Sequence, residues 1–238
     1  MIITRSSLTF FLAAFVGLQV CVAVAQESVG HRFAPLDSKS LDIHDRADRA
    51  YSQTDYERAF LIYRNELAEM GDKYGQYMVG YLYLTGKGIE KDWVAASAWY
   101  RLAAERGNSQ FISASDRVWL SLDSLQQSRS DELFIRLRKK YGDLALVMKA
   151  TRDDWKFLRS RTGSRLGGSA SPVIIIDPRN AKRSVMEEDY YGPIENRISA
   201  RLKFVGVYTG IDVDVDDPRR FDLAGLEKQV DEFLDELN

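Results

Sequence analysis

A short motif that occurs twice, 36 residues apart, is the feature that most constrains the fold. The letters AEMGD at residues 68–72 are matched by AERGN at residues 104–108. A second match lies at nearly the same distance, because DYERA at 55–59 corresponds to DWVAA at 92–96 with an offset of 37. A repeat of this length is typical of stacked helix pairs, each pair being one unit of the stack. The change of offset from 37 to 36 predicts one extra residue in the earlier helix.

Local signals predict where the helices of the two units begin and end. Asp55 and Asp92 are suitable N-caps, because a carboxylate accepts hydrogen bonds from the free amides of a first helical turn. Gly71 and Gly107 are suitable terminators, since glycine readily adopts the left-handed conformation after a helix. These signals predict one helix that begins after Asp55 and ends before Gly71, and another that begins after Asp92 and ends before Gly107. Between them, a further helix is predicted from Lys73 to about residue 85, and a glycine-containing turn follows it.

Residues 79–107 carry a family resemblance. They read VGYLY at 79–83, GKGI at 86–89 and DWVAASAWYRLAAERG at 92–107. This is similar to the Sel-one-like repeat, a relative of the tetratricopeptide repeat, whose pattern is Leu-Gly-x-x-Tyr, Gly-x-Gly-Val and Asp-x-x-x-Ala-x-x-Trp-Tyr-x-x-Ala-Ala-x-x-Gly. The two departures, valine for leucine and isoleucine for valine, are conservative. The resemblance covers roughly residues 47–108 and implies a mainly α fold, a short superhelical stack of antiparallel helix pairs.

The helical repeat domain is predicted to span residues 41–162. It begins with a short helix at 41–52, before the first helix pair. After the second unit the repeat pattern decays, and the glycine loop is absent. Helices near 109–127, 130–141 and 143–160 are predicted to cap the stack, because one face of a terminal repeat must meet water.

The carboxyl-terminal part is predicted to be a small α+β module at residues 173–238. It follows a stretch at 163–172 that is rich in Gly and Ser, which we interpret as a linker. A short apolar run and an alternation of apolar and polar residues predict strands, and an amphipathic pattern predicts a final helix. The predicted elements are strands at 173–176, 198–208 and 211–215 and a helix at 223–237.

The amino terminus has the pattern of a secretory signal peptide. Arg5 precedes an almost wholly apolar run at 8–24, and a small-x-small site predicts cleavage after Ala25. An uncleaved anchor is the alternative, because the apolar run is nearly long enough to span a membrane. Cys21, the only cysteine, lies in this segment, so the mature chain is expected to have no thiol. We expect export to the periplasm of a Gram-negative bacterium and a flexible lead-in at residues 26–40.

Charge and histidine content argue against several function classes. The 33 basic and 35 acidic residues nearly balance, which does not suggest a nucleic-acid-binding protein. His31 and His44 both precede the repeat and are interpreted as surface polar residues, so a Ser-His-Asp or histidine metal centre is not expected.

Alternating aspartates at 212–217 are interpreted as the solvent-exposed face of a strand, with a weak calcium or cationic-partner site as the alternative. The acids at 187–189 are interpreted as a solvated loop, with glycan hydrolysis as the alternative. We predict no enzyme, no cofactor and no metal site.

A partner-binding surface is predicted on the first helix of the second unit. Tyr77 and Tyr81 are four residues apart and share one helix face. The resemblance implies that this helix lines the concave side of the stack, where aromatic side chains are good binding anchors. Leu84 and Lys73 complete the predicted surface. The alternative for the two tyrosines is packing against the first helix pair.

These features predict a periplasmic adaptor or scaffold that holds a protein or peptide partner. One alternative is an envelope enzyme that acts on glycans, with its site in the carboxyl-terminal module. The other is a structural protein that contacts anionic lipid or peptidoglycan through a basic run. That run comprises Lys149, Arg152, Lys156, Arg159, Arg161 and Arg165.

Overall fold

The computed structural model describes residues 38–160, 174–176, 184–213 and 221–237. The predicted signal peptide, most of the lead-in and the predicted linker lie outside the described residues. The described elements are mainly helices, with one antiparallel pair of short strands in which Ile175 lies opposite Val185. They are α1 Ser38–Ser52, α2 Tyr56–Ile62 with a π turn Tyr63–Leu67 and a 3-10 turn Ala68–Met70, α3 Lys73–Thr85, α4 Trp93–Ala103 with a 3-10 turn Ala104–Arg106, α5 Ser109–Leu120, α6 Ser124–Tyr141, α7 Asp143–Arg159, β1 Ile174–Ile176, β2 Ser184–Met186, α8 Glu187–Thr209 and α9 Leu223–Glu236.

The predicted repeat is confirmed by two matching helix boundaries. Each unit ends in a 3-10 turn followed by a left-handed glycine, with φ and ψ of 75° and 19° at Gly71 and 76° and 16° at Gly107. The next residue then caps the following helix. Asp72 accepts from the Gly75 amide, and Asn108 accepts from the amide of Phe111. The same sequence letters therefore make the same chain reversal at both places.

The predicted extra residue of the earlier helix is confirmed as a π turn. In the segment Tyr63–Leu67 the backbone widens, and the amide of Ala68 donates to the carbonyl oxygen of Tyr63, five residues earlier. A π turn holds one more residue than an α turn, so a helix can accept an insertion without rotating its two ends relative to each other. The corresponding stretch of α4 has no π turn.

Close packing of α3 against α4 depends on a small residue. A Cβ atom at Gly80 would lie 3.0 Å from the Tyr100 ring and 3.2 Å from the Ala96 carbonyl oxygen. Around this contact the helices bury Val79, Leu82 and several alanines of α4. The glycine thus allows the two helix backbones to approach closely, and the large side chains then fill the space beside them.

The break between the first two helices after the second unit lies at other residues than predicted, whereas the predicted start at 109 and the predicted end at 141 are confirmed. The pattern predicts helices at 109–127 and 130–141, whereas α5 ends at Leu120 and α6 begins at Ser124. Asp123 sets the new start, because its carboxylate accepts from the Gln126 amide while the Gln126 side chain accepts from the Asp123 amide. This reciprocal cap is a strong start signal that the apolar pattern alone does not show.

The predicted strand at 198–208 is wrong, because these residues form part of the long helix α8. The buried residues are Ile198, Leu202 and Val205, whose spacing of four and three is helical. Ala200 and Phe204, which made the sequence look alternating, are exposed. The acids at 187–189 likewise lie in the first turn of α8 and not in a loop.

A small α+β module is therefore not supported by the described residues. Of the predicted strands, only the first is present, as β1, and residues 211–213 of the third form neither helix nor strand. The predicted final helix is confirmed as α9, which buries four apolar residues on one face. The predicted boundary between the two parts at the linker stays a prediction.

A second core joins α7 to α8 and α9. Leu144, Met148 and Leu158 of α7 pack with buried apolar residues of the two later helices. The contributing residues of α8 and α9 are Ile198, Leu202, Val205, Leu223, Leu226, Val230 and Leu234. Ion pairs flank this core, with Asp154 of α7 accepting from both Arg197 and Arg201 of α8. The carboxyl-terminal helices thus cover the apolar face of α7.

Candidate functional site

Three of the predicted partner-binding residues lie together on one side of α3. Tyr77, Tyr81 and Leu84 are partly buried and pack against a small core cluster. The cluster consists of Tyr100 of α4 with Ala114 and Val118 of α5. We call Tyr77, Tyr81 and Leu84 the tyrosine surface. Its residues are anchored at their inner edges and keep an outer edge in contact with solvent.

Tyr77 is held between two other aromatic rings. Its ring centre is 5.0 Å from that of Tyr100 and 5.0 Å from that of Phe111, and it stacks on Phe111 at an interplanar angle of 22°. Aromatic pairs at such distances are favourable beyond the area they bury. Tyr77 is therefore a fixed element of the surface, and its ring does not need to be ordered when a partner binds.

Tyr81 forms a second aromatic group with residues of α1 and α2. The Tyr51 hydroxyl donates to the Tyr81 hydroxyl oxygen at 3.4 Å, and the Tyr51 ring centre is 5.3 Å from that of Tyr56. Burial, together with the Tyr81 hydroxyl, raises the pKa of Tyr51 to about 12. The Tyr51 phenol is thus a neutral hydrogen-bonding group at physiological pH. We call Tyr51, Tyr56 and Tyr81 the tyrosine triad.

Lys87 extends into the tyrosine triad from the turn after α3. Its ammonium nitrogen lies 5.4, 5.0 and 5.6 Å from the ring centres of Tyr51, Tyr56 and Tyr81. It also donates to the Tyr51 hydroxyl oxygen at 3.3 Å. An ammonium group over aromatic faces is stabilised by the ring quadrupoles. Burial by itself lowers the pKa of Lys87, but the tyrosines outweigh burial and the net pKa is raised, so the side chain stays charged.

The position of Lys87 follows from the glycine beside it. Gly88 has a φ of 70°, and a Cβ atom there would lie 2.3 Å from the Tyr56 carbonyl carbon. Only a residue without a side chain lets the turn approach the start of α2 so closely. This contact brings the turn that carries Lys87 against the helix that carries Tyr56.

The prediction that Lys73 contacts a partner does not fit the structure. Its ammonium nitrogen is 2.7 Å from a Glu105 oxygen and 3.2 Å from an Asp143 oxygen, and it donates to the Leu102 carbonyl oxygen at 3.3 Å. Only 8% of the Lys73 side chain is exposed. The Lys73 ammonium group is thus paired within the chain, where it links the starts of α3 and α7 to the end of α4.

Arg161 and Arg165 of the predicted basic run lie outside the described residues, and the other four residues lie on α7. They are Lys149, Arg152, Lys156 and Arg159. Arg152 is 2.6 Å from a carboxylate oxygen of Glu227, and the Arg159 guanidinium lies 4.7 Å from the ring centre of Trp155. Arg152 and Arg159 thus contact other residues of the chain, and Lys149, Lys156 and Arg159 are exposed. Contact with an anionic envelope surface stays a prediction.

The remaining candidate residues form no further site within the described part of the chain. His44 is 3% exposed, so its interpretation as a surface residue is wrong; it shares a face of α1 with the buried Ala47. Within the described ranges, no group of three or more His, Cys, Asp or Glu side chains is arranged to hold a metal ion. Most of the aspartate run at 212–217, like His31, lies outside the described residues. No helix in the described part of the chain is long and apolar enough to cross a membrane.

Tyr51, Tyr56 and Lys87 are the residues of this site that sequence reasoning missed. Tyr51 and Tyr56 belong to different helices and precede Tyr81 by 30 and 25 residues, so no spacing rule links them. The available signal was the lysine between the two glycines of the turn at 86–88, because a turn packed that closely restricts where its middle side chain can lie.

Comparisons with known proteins add little to this description. No family model and no curated protein matches the chain. A solved structure of a protective antigen present in uropathogenic Escherichia coli strains, described as displaying an SLR fold, is similar at 20% identity. The similarity covers 49% of this chain and 23% of that one, with a TM-score of 0.36. The matched part is thus less than a quarter of the antigen's length.

Proposed function

We propose that this chain is an exported adaptor of the Sel-one-like repeat type, which binds a protein or peptide partner in the periplasm. The observation that carries the proposal is the tyrosine surface, where Tyr77, Tyr81 and Leu84 are fixed by packing yet remain partly exposed. The repeat letters at 79–107 and the paired helices that they form support the family assignment. The signal-peptide pattern at residues 1–25 supports the location.

Tyrosine is well suited to such a surface. Its ring buries a large apolar area, its hydroxyl pairs with polar groups, and it has few rotatable bonds to order on binding. At the tyrosine surface the entropy cost is lower still, because Tyr77 is already stacked and Tyr81 already hydrogen-bonded. A few such anchors contribute most of the binding free energy in many protein interfaces.

Site-specific photo-crosslinking in living cells tests the proposal. A photoreactive phenylalanine analogue replaces Leu84, at the edge of the tyrosine surface, and in a control chain it replaces Val207 of α8, which is 89% exposed. We expect one or two proteins to crosslink from position 84 and not from position 207. Cell fractionation and amino-terminal sequencing of the same chain test export, for which we expect a mature protein that begins at Gln26.

A second step tests the tyrosines themselves. The crosslinked protein is purified and its affinity is measured by calorimetry for the wild type and for Tyr81→Ala, with circular dichroism as the check of folding. We expect Tyr81→Ala to weaken binding about tenfold or more, as for an interface hot spot. Equal labelling from positions 84 and 207, or full affinity of a folded Tyr81→Ala variant, contradicts the proposal.

A further inference from the structure

Lys87 differs from the other partly buried basic residues in its partners. Lys73, Arg101 and Arg138 each lie within 4.0 Å of a carboxylate oxygen. Among the described residues, no carboxylate lies within that distance of the Lys87 ammonium group, whose neighbours are the hydroxyl of Tyr51 and the three rings of the tyrosine triad. The Lys87 ammonium group is thus held in a fixed position, and no carboxylate of the described residues neutralises its charge.

We propose that Lys87 and the tyrosine triad bind a carboxylate side chain of the partner, an Asp or Glu within the segment that lies on the tyrosine surface. This inference rests on the proposed function and names the chemistry of its partner. Charge complementarity carries it, because an ammonium group that is already partly desolvated gains more from an anion than a fully hydrated one does. Tyr81 belongs to both the tyrosine surface and the triad, so the two sites are continuous.

The hydrogen-bond donors needed for a carboxylate are present. An ammonium group has three N–H donors, and Lys87 uses one of them on Tyr51. The Tyr51 hydroxyl donates to the Tyr81 hydroxyl oxygen, so the Tyr81 hydroxyl keeps its own hydrogen for a ligand. A carboxylate oxygen can accept from both the ammonium and the remaining phenol hydrogen, and such charge-assisted bonds are the stronger kind.

The geometry favours a carboxylate over a phosphate group. Phosphorylated segments are usually recognised by clusters of arginines, which match a charge near −2. In the described structure the tyrosine triad surrounds a single ammonium, which matches the single charge of a carboxylate. A cationic group of a partner is also disfavoured, because Lys87 already occupies the faces of the three rings.

Peptide selection provides the test. A displayed library of random peptides is selected on the full chain, expressed with its own amino-terminal segment and purified. Each selected peptide that contains Asp or Glu is then made again with Asn or Gln at that position, and affinities are measured by fluorescence anisotropy. We expect the amide form to bind the wild type about tenfold more weakly or worse, the range for a charged hydrogen bond.

Variants locate the effect at Lys87. Lys87→Gln is expected to lower affinity for the acid form by about the same tenfold factor and to leave the amide form unchanged. Tyr81→Phe, which keeps the ring and loses the hydroxyl, is expected to weaken the acid form only. Lys91→Gln is the matched control, because it removes the same charge from an exposed residue near the same turn, and its effect is expected to stay within about twofold.

The outcomes separate this inference from the function on which it rests. If the library yields no binder, the proposed binding function fails and the carboxylate site fails with it. If binders are found but acid and amide forms bind equally, or if both Lys87→Gln and Tyr81→Phe retain full affinity for the acid form, the carboxylate site is wrong while the binding function stands.

Discussion

Gly88 is the residue at which local conformation and tertiary packing constrain the chain most strongly. It has a positive φ, and it also lies against the backbone of Tyr56. Gly107 has nearly the same φ, but an added Cβ there would meet no atom within 4 Å. A comparison of the two glycines therefore separates the free-energy cost of a left-handed residue from the free-energy cost of a steric clash.

Replacing each glycine with alanine gives a direct prediction at this scale. Gly107→Ala is expected to lower the free energy of unfolding by about 1 kcal/mol, because only the left-handed conformation is penalised. Gly88→Ala is expected to lower it by about 2–4 kcal/mol, since displacement of the turn from α2 adds an overpacking cost. Urea unfolding followed by circular dichroism measures both values. Equal losses would show that the close approach at Gly88 contributes nothing.

At the scale of elements, helix ends are joined by buried charges. Glu105, at the end of α4, accepts from Lys73 at the start of α3 and from the Asp143 amide at the start of α7. The Asp143 carboxylate also receives two hydrogen bonds from Arg106. Ion pairs of this kind add little net stability compared with apolar contacts, but removing one member leaves a buried charge unbalanced.

The pKa of Asp143 predicts how this network responds to acid. Burial by itself raises the pKa of the Asp143 carboxyl, but hydrogen bonds and charge from Arg106 and Lys73 outweigh burial and hold it below its ordinary value. A carboxyl with a depressed folded-state pKa stabilises the fold above its ordinary pKa, and that contribution is lost as the pH falls through the folded-state value.

Asp143→Asn tests this response. We expect it to lower the free energy of unfolding by about 1–2 kcal/mol at pH 7, discounted because Arg106 is partly exposed. The difference from the wild type should shrink below about pH 4, where the wild type loses the same contribution. Asp153→Asn, an exposed residue of the same helix, is the control and should change stability by less than about 0.5 kcal/mol. A difference independent of pH would contradict the assignment.

At the scale of the molecule, the core shared by α7, α8 and α9 decides how far the carboxyl-terminal helices are independent. Leu202 of α8 is fully buried in the core that also contains Leu144 and Met148 of α7. If the core unfolds as one unit, a destabilising substitution in α8 also destabilises α7, although the two helices are distant in sequence.

Leu202→Ala is the test at this scale. It is expected to lower the free energy of unfolding by about 2–5 kcal/mol, the usual range for a buried leucine. Hydrogen exchange should become faster in α7 as well as in α8. Lys203→Ala, an exposed neighbour, should leave both helices unchanged. Faster exchange confined to α8 and α9 would instead support the predicted separate module.

Sequence reasoning succeeded where the signals were local. The caps at Asp55 and Asp92, the left-handed Gly71 and Gly107 and the extra residue that became a π turn all depend on neighbours within a few positions. It failed in α8, because Ile198 and Leu202 fit both a strand and a helix, and only Val205 fits the helix better.

The sequence by itself determined the helix pairs, since a period of 36 or 37 residues with repeated caps leaves few other folds. Tertiary structure alone decided which lysine charges are paired with carboxylates of the described residues and which are not. Lys73 begins α3 and Lys87 follows its last turn, yet Lys73 is paired with Glu105 and Asp143 whereas Lys87 is held by the tyrosine triad. The difference depends on which distant residues the folded backbone brings within a few ångströms, and no local pattern contains that information.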